Sequence, residues 1–187
     1  MKKVIIAITG MPGTGKALAS NVARELGLPV YVLGDVIRNE AKAKGILPTG
    51  ENLGKLMLEI RKKEGKGIVA RKLIPIIKKE RNKFVIVEGI RSLEEVKELR
   101  NFYNVVILGI HSSPTQRFQR LSKRGRSDDP KSWNDFAERD ERELKVGIGN
   151  VIALSDFMIL NDSTIDKFKN GINSHLKSFL FSQNKFK

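Results

Sequence analysis

Seven residues near the start of the chain, Gly10-Met-Pro-Gly13-Thr-Gly15-Lys16, follow a continuous apolar run, Val4–Thr9, and open a helical pattern, Ala17–Leu26. A strand that ends in a glycine-rich turn and re-emerges as a helix aims successive backbone N–H groups at one point. The positive end of the helix and the lysine amine converge on the same point. In that setting the pattern G-x-x-x-x-G-K predicts a triphosphate cradle made of Gly10, Met11, Pro12, Gly13, Thr14, Gly15 and Lys16.

The remaining pattern repeats the alternation of apolar run and helix. Further strands are expected at Val30–Leu33, Phe84–Glu88, Val105–Ile110 and Phe157–Leu160. Short continuous Val/Ile-rich runs separated by helices imply an α/β fold, a parallel sheet of five strands covered on both faces. Ser92-Leu-Glu-Glu95 reads as a capping box, and Ser113-Pro114 combines a cap with proline at the first helical position. The stretch from Asp35 to Arg81 is mostly helical and exceeds an ordinary crossover, so it is expected to form a small helical insertion closing over a ligand. The tail from Asp166 to Lys187 reads as a final amphipathic helix with a frayed basic end. All 187 residues are expected in one domain.

Composition narrows the function classes. With no cysteine, disulfides, thiolate metal sites and cysteine nucleophiles are excluded. The charged start, MKKVIIAITG, imitates a signal peptide, but its apolar run is too short and ends in a polar turn. No run reaches the roughly 18 apolar residues of a membrane helix, so a cytoplasmic protein without membrane contact is expected. Thirty-five Lys and Arg against 21 Asp and Glu leave a formal charge of +14, which favours anionic partners: nucleotides first, nucleic acid second. A solvated, highly charged surface explains many of the lysines equally well. His111 and His175 are too far apart to make a metal site or triad, and Trp133 and the Met and Phe positions read as core.

Most phosphate loops carry a Ser or Thr after the lysine as a direct Mg²⁺ ligand, and here Ala17 and Leu18 follow. Either the loop binds phosphate without chemistry, or the metal is held through phosphates, waters and a carboxylate further out. The spelling G-x-P-G-x-G-K before a small residue resembles the adenylate kinase group of nucleoside monophosphate kinases. That group usually has glycine at the position of Ala17, often threonine at that of Leu18, and holds magnesium largely through water.

Further segments resemble the same group in the same order. Gly34-Asp35-Val-Ile-Arg38 is similar to the G-D-x-[LI]-R that opens its acceptor-binding part, which implies that Arg38 grips an acceptor phosphate. Val87-Glu88-Gly89-Ile90-Arg91-Ser92 is similar to D-G-F-P-R-T, with glutamate for aspartate and one residue fewer. The resemblance assigns Glu88 to the magnesium shell through water, Gly89 and Ile90 to the acceptor base, and Arg91 to its phosphate. Arg120-Leu-Ser-Lys-Arg124 and Arg126-Ser-Asp128-Asp129 resemble the segments flanking the lid. Only Gly125 separates them, so a very short lid is expected within residues 120–139. Arg139, or else Arg142, matches an arginine on the next helix, and the same residues also suit ordinary helix ion pairs. Ser155 to Ser163 is similar to the D-x-x-I-x-N strand of dephospho-coenzyme A kinases, which places Asn161 near the donor base.

The resemblance therefore implies a three-layer P-loop NTPase fold and an ATP- and Mg²⁺-dependent kinase acting on a nucleoside monophosphate, AMP first. Lys16, Arg120, Arg124, Arg126 and Arg139 would surround the transferred phosphoryl group. Two rivals stay open: a kinase of a hydroxyl acceptor such as dephospho-coenzyme A, with Asp35 as general base, and an adenylate-kinase-like ATPase acting in ribonucleoprotein assembly.

Overall fold

The computed structural model describes residues 2–182. Five parallel strands, β1 (Val4–Thr9), β2 (Val30–Val32), β3 (Phe84–Ile90), β4 (Asn104–His111) and β5 (Phe157–Leu160), lie in the order β2-β3-β1-β4-β5. The first strand is thus central, and every one of its residues is buried. Its period-two alternation divides the core. Ile5 and Ala7 face one apolar cluster with Val85, Val87 and Ile107, while Ile6 and Ile8 face the other with Ile86, Leu108 and Ile110.

The second of these clusters is closed by α1 (Lys16–Glu25) and α9 (Ile165–Ser182) through Ala19, Val22, Phe168, Ile172 and Leu176. The first is closed by α2 (Leu33–Ala43), α3 (Gly50–Glu64), α4 (Ile68–Lys79), α5 (Leu93–Arg100) and α8 (Ile148–Ala153). The helices expected between residues 35 and 81 are thus α2, α3 and α4, and they share the sheet's own core through Ile37, Met57, Ile60 and Leu73. The remaining pair, α6 (Pro114–Arg124) and α7 (Trp133–Val146), stands at the C-terminal ends of the strands, joined by residues 125–132.

Local expectations need three corrections. The third strand runs on through Glu88, Gly89 and Ile90. It does so across a register slip against β1 between Ile8 and Thr9, where Gly89 takes a φ of +91°. A β-carbon there would meet nothing nearer than Leu33 Cβ at 3.9 Å, so the backbone twist, not crowding, asks for glycine. Only half of the capping box forms: Ser92 Oγ accepts from the Glu95 amide at 3.2 Å, while Glu95 turns to the Arg91 amide and the Arg61 guanidinium. Trp133 is not core. It is 48 % exposed and packs edge-on against Phe118, ring centres 5.3 Å apart. The basic end expected at 183–187 lies outside the described residues. Among the described residues no helix is long and apolar enough to cross a membrane.

Candidate active site

The loop after β1 is braced from three sides. Thr14 Oγ1 donates to the Met11 carbonyl (2.9 Å), Asn161 Nδ2 to the Thr14 carbonyl (2.9 Å), and Arg117 Nη1 to the Pro12 carbonyl (3.2 Å). Arg117 is buried, fork-bound to Asp140 at 2.8 and 2.5 Å, and stacked 4.9 Å from the centre of the Phe136 ring. Gly15, at φ +101°, starts α1, and a β-carbon there would stand 2.5 Å from Asn161 Nδ2. These bonds tie the loop's carbonyls to the protein, while among its amides that of Thr14 donates to the Met11 carbonyl at 3.3 Å.

Lys16 turns its amine back onto this loop, donating to the carbonyls of Gly10 (2.7 Å) and Met11 (3.0 Å). Burial lowers its pKa from 10.5 to about 8; Glu88 works against that shift and the Arg91 charge adds to it. Ala17 lines the cleft with a methyl group only. Ser20, one turn further, points away from the loop and donates its hydroxyl to Glu88 Oε2. The sequence offers no hint that these two residues meet, because they are 68 positions apart.

In front of the loop lies a cleft of about 260 Å³. Its wall carries Lys16, Arg38, Arg91, Arg120, Arg124, Arg126 and Arg139 against two carboxylates, Glu88 and Asp128. A smaller recess of about 50 Å³ adjoins it, sharing Arg38, Arg91 and Arg139 and adding Ile37, Leu53, Met57 and Arg142. Burial works against the charged forms of Arg120 and Arg139, as it does for Lys16. Several desolvated cations crowded into one cleft favour an anion that would neutralise them.

Most of the arginines rest on a protein acceptor. Arg38 sits on Asp35 (Nε–Oδ1 3.0 Å), and Arg91 Nε lies 2.7 Å from Glu143 Oε2, an ion pair off the line of a hydrogen bond. Arg120 donates to Ser112 Oγ (2.7 Å) and the Asn161 carbonyl (2.8 Å). Arg124 grips Asp129, and Arg139 donates to the Asp128 carbonyl (2.8 Å). The Arg126 guanidinium has no hydrogen bond or ion pair among the described residues. Arg117, Arg120 and Arg124 follow i, i+3, i+7, so one face of α6 serves loop and cleft together.

Residues 125–132 join α6 to α7 within the stretch 120–139 where a short lid is expected. Gly125 ends α6 in the left-handed conformation, and Ser127 Oγ then donates to the Pro48 carbonyl (3.1 Å) ahead of α3. A β-carbon on Gly50 would stand 3.0 Å from the Asp128 carbonyl, so lid and insertion touch above the cleft.

The structure brings together Pro12, Gly13, Gly15, Lys16 and Ala17 with Gly34, Arg38, Glu88, Gly89, Arg91 and the four lid arginines. Gly10, Met11 and Thr14 belong to the same loop but are buried and outside this wall, and four further expected residues stand elsewhere. Asp35 lies in the first turn of α2, outside the cleft wall. Ile90 is fully buried in the core, its carbonyl accepting from Thr9 Oγ1 at 2.8 Å. Asn161 is buried and braces the loop. Leu18 packs against the cluster under α1. Arg117, Asp140 and Glu143 were not singled out by sequence, and only the helical spacing of Arg117 from Arg120 signalled any of them.

Comparison with known proteins gives the site a family. Residues 9–136 match the model of an AAA domain. A UPF0200 protein from Hyperthermus butylicus is 43% identical over 89% of this chain and 90% of that protein. Another, from Pyrococcus abyssi, is 45% identical over 95% of this chain and 98% of that protein. Among solved structures, TT1252 from Thermus thermophilus superposes with a TM-score of 0.69 at 17% identity, over 95% of this chain and 98% of that one. Shikimate kinase from Acinetobacter baumannii, in complex with shikimate, superposes at 0.59 with 16% identity, over 100% of this chain and 97% of that one. The fold is the α/β arrangement of P-loop kinase-like proteins.

Proposed function

The chain belongs to the UPF0200 family and carries an AAA domain over residues 9–136, and we propose that it is an ATP-dependent kinase of a nucleoside monophosphate, with AMP the first candidate. The observation that carries this reading is the convergence of Lys16 and six arginines on one cleft in front of the braced loop. A triphosphate on the loop and a phosphate-bearing acceptor near Arg38 and Arg91 would together supply the negative charge that this wall lacks. Such an acceptor phosphate is already a nucleophile near neutral pH and needs no base, only in-line placement among cations.

Lys16 would move from its loop carbonyls onto the outer phosphates of the donor. Arg120, Arg124, Arg126 and Arg139 would neutralise charge spread over the moving phosphoryl group, while the lid's contact with Pro48 and Gly50 limits water entry. Glu88 fits a magnesium ion held through water. Ser20 occupies one carboxylate oxygen, the other has no hydrogen bond among the described residues, and the residue faces Lys16 across the cleft. Held there by Glu88 through water, the ion would supply positive charge to offset that of the phosphates.

The placement of Asp35 outside the cleft wall speaks against the hydroxyl-acceptor reading, in which Asp35 would be the base. Initial rates of ADP formation decide the matter, measured with ATP alone and with AMP, CMP, GMP or UMP added. AMP is expected to raise the rate at least a hundredfold over ATP alone. An equal rate with and without every acceptor overturns the kinase reading.

A further inference from the structure

The opposite end of the sheet, where the strands begin, carries a second concentration of positive charge. Phe84, Val4 and Asn104 stand side by side in register, so β3, β1 and β4 all start on one level. The segments feeding them meet there as well. Lys3 Nζ donates to the Ile77 carbonyl at the end of α4, and Tyr103 Oη to that of Ile74. Lys78, Lys79, Arg81 and Arg100 are exposed and Lys83 half-exposed on this level. None of these five forms an ion pair among the described residues.

Some exposed cations elsewhere are paired, Lys55 with Glu51, Arg71 with Glu98, Lys66 with Glu94 and Lys145 with Glu141, while others, such as Lys62, Lys63 and Lys123, have no ion pair among the described residues. The acid amid the basic level is Glu80, and its carboxylate is taken up by Tyr31 Oη and the amides of Arg81 and Asn82. Phe102 lies in the same place, 43 % exposed, with the Lys78 amine 4.5 Å from its ring centre. Unpaired cations around an exposed aromatic ring are the combination that binds single-stranded nucleic acid. The cations follow the phosphates, and the ring offers a face on which any base can stack.

We propose that this level, remote from the phosphate loop, is a docking surface for single-stranded RNA, with Lys78, Lys79, Lys83 and Arg100 on the backbone and Phe102 under a base. The inference does not depend on the kinase reading, since no residue of the cleft takes part. Interleaved cations and one stacking ring suit the phosphates and bases of a nucleic acid, and the exposed Ile76 beside Lys79 and Arg81 makes an anionic membrane the alternative that the test must exclude.

Fluorescence anisotropy with a labelled 12-nucleotide uridine RNA tests it, over 50 to 200 mM salt. Binding is expected to weaken with a log–log slope near −3, about −0.7 for each of four phosphates. The triple variant K78E/K79E/K83E should bind at least tenfold more weakly, with a shallower slope and unchanged circular dichroism. Phe102→Ala should weaken binding severalfold without altering the slope. Lys16→Ala should bind RNA as the parent does. Should the triple variant fail to fold, Arg81→Ala with Arg100→Ala carries the same expectation in smaller measure. Parent-like affinity in the charge variants overturns the proposal, as does loss of binding in Lys16→Ala, which would put the RNA in the cleft. Binding to phosphatidylserine vesicles but not to RNA overturns it as well.

Discussion

The two halves of the cleft are built differently. On the loop side the polar groups are locked to buried protein: Thr14 on Met11, Asn161 on Thr14, Arg117 on Pro12 and Asp140. On the arginine side the partners are mixed: the exposed Asp35 for Arg38, the buried Glu143 for Arg91, Ser112 and the Asn161 carbonyl for Arg120, Asp129 for Arg124, and none for the Arg126 guanidinium among the described residues. The first half is finished before any ligand arrives. The second leaves the Arg126 guanidinium without a partner among the described residues and Arg38 on an exposed carboxylate that a phosphate could replace, so a phosphate-bearing ligand would complete it. Under the proposed kinase reading, that difference would separate a rigid donor site from an acceptor site completed by its own ligand.

Four experiments would break or sharpen that contrast. The largest effect is expected for Lys16→Ala, a loss of roughly 10²–10³ in turnover with the fold intact, since the variant removes a cation aimed at developing charge. Arg117→Ala attacks the loop side through stability. It leaves Asp140 without its buried partner and the Pro12 carbonyl without its donor, costing about 3 kcal/mol or more. Calorimetry should record a melting point lower by roughly 6–12 °C. A shift below 2 °C would show that the loop is not braced as described.

Arg126→Ala attacks the other side and should do the reverse. With no partner to lose among the described residues, the melting point should stay within about 1 °C. Turnover should fall roughly tenfold with the acceptor KM little changed, the scale of one charged hydrogen bond to the moving phosphoryl group. The mildest test is pH. In the free protein the Lys16 pKa of about 8 lies below its ordinary 10.5. The charged amine therefore costs stability below pH 8, and that cost fades between about pH 8 and 10.5. A bound phosphate favours the charged amine, so ATP binding takes up a proton, and affinity should fall about tenfold from pH 8 to 9.5. Titration calorimetry in two buffers would show the uptake, and Lys16→Ala should abolish it.

The loop, the parallel sheet and the arginine series were legible in the sequence because each is a local pattern. A strand–glycine–helix signal needs no tertiary context, and Arg120, Arg124 and Arg126 sit close together in the chain. What escaped depends on pairs far apart. Ser20 meets Glu88, Arg117 meets Pro12 across 105 positions, and Asn161 reaches Thr14 across 147. Ile90 and Asp35 were expected at the ligand because the motifs that contain them resemble acceptor-binding segments. The register slip at Gly89 turns Ile90 into the core, and the early start of α2 carries Asp35 beyond the cleft wall.

The central claim is that a phosphoryl group passes from a loop-bound triphosphate to an anionic acceptor. It is tested most directly by following the γ-labelled phosphate of ATP through a single turnover with AMP present. The account predicts that the label appears in ADP formed from AMP, with inorganic phosphate about a hundredfold slower. Label released only as inorganic phosphate, at a rate indifferent to AMP, would contradict it.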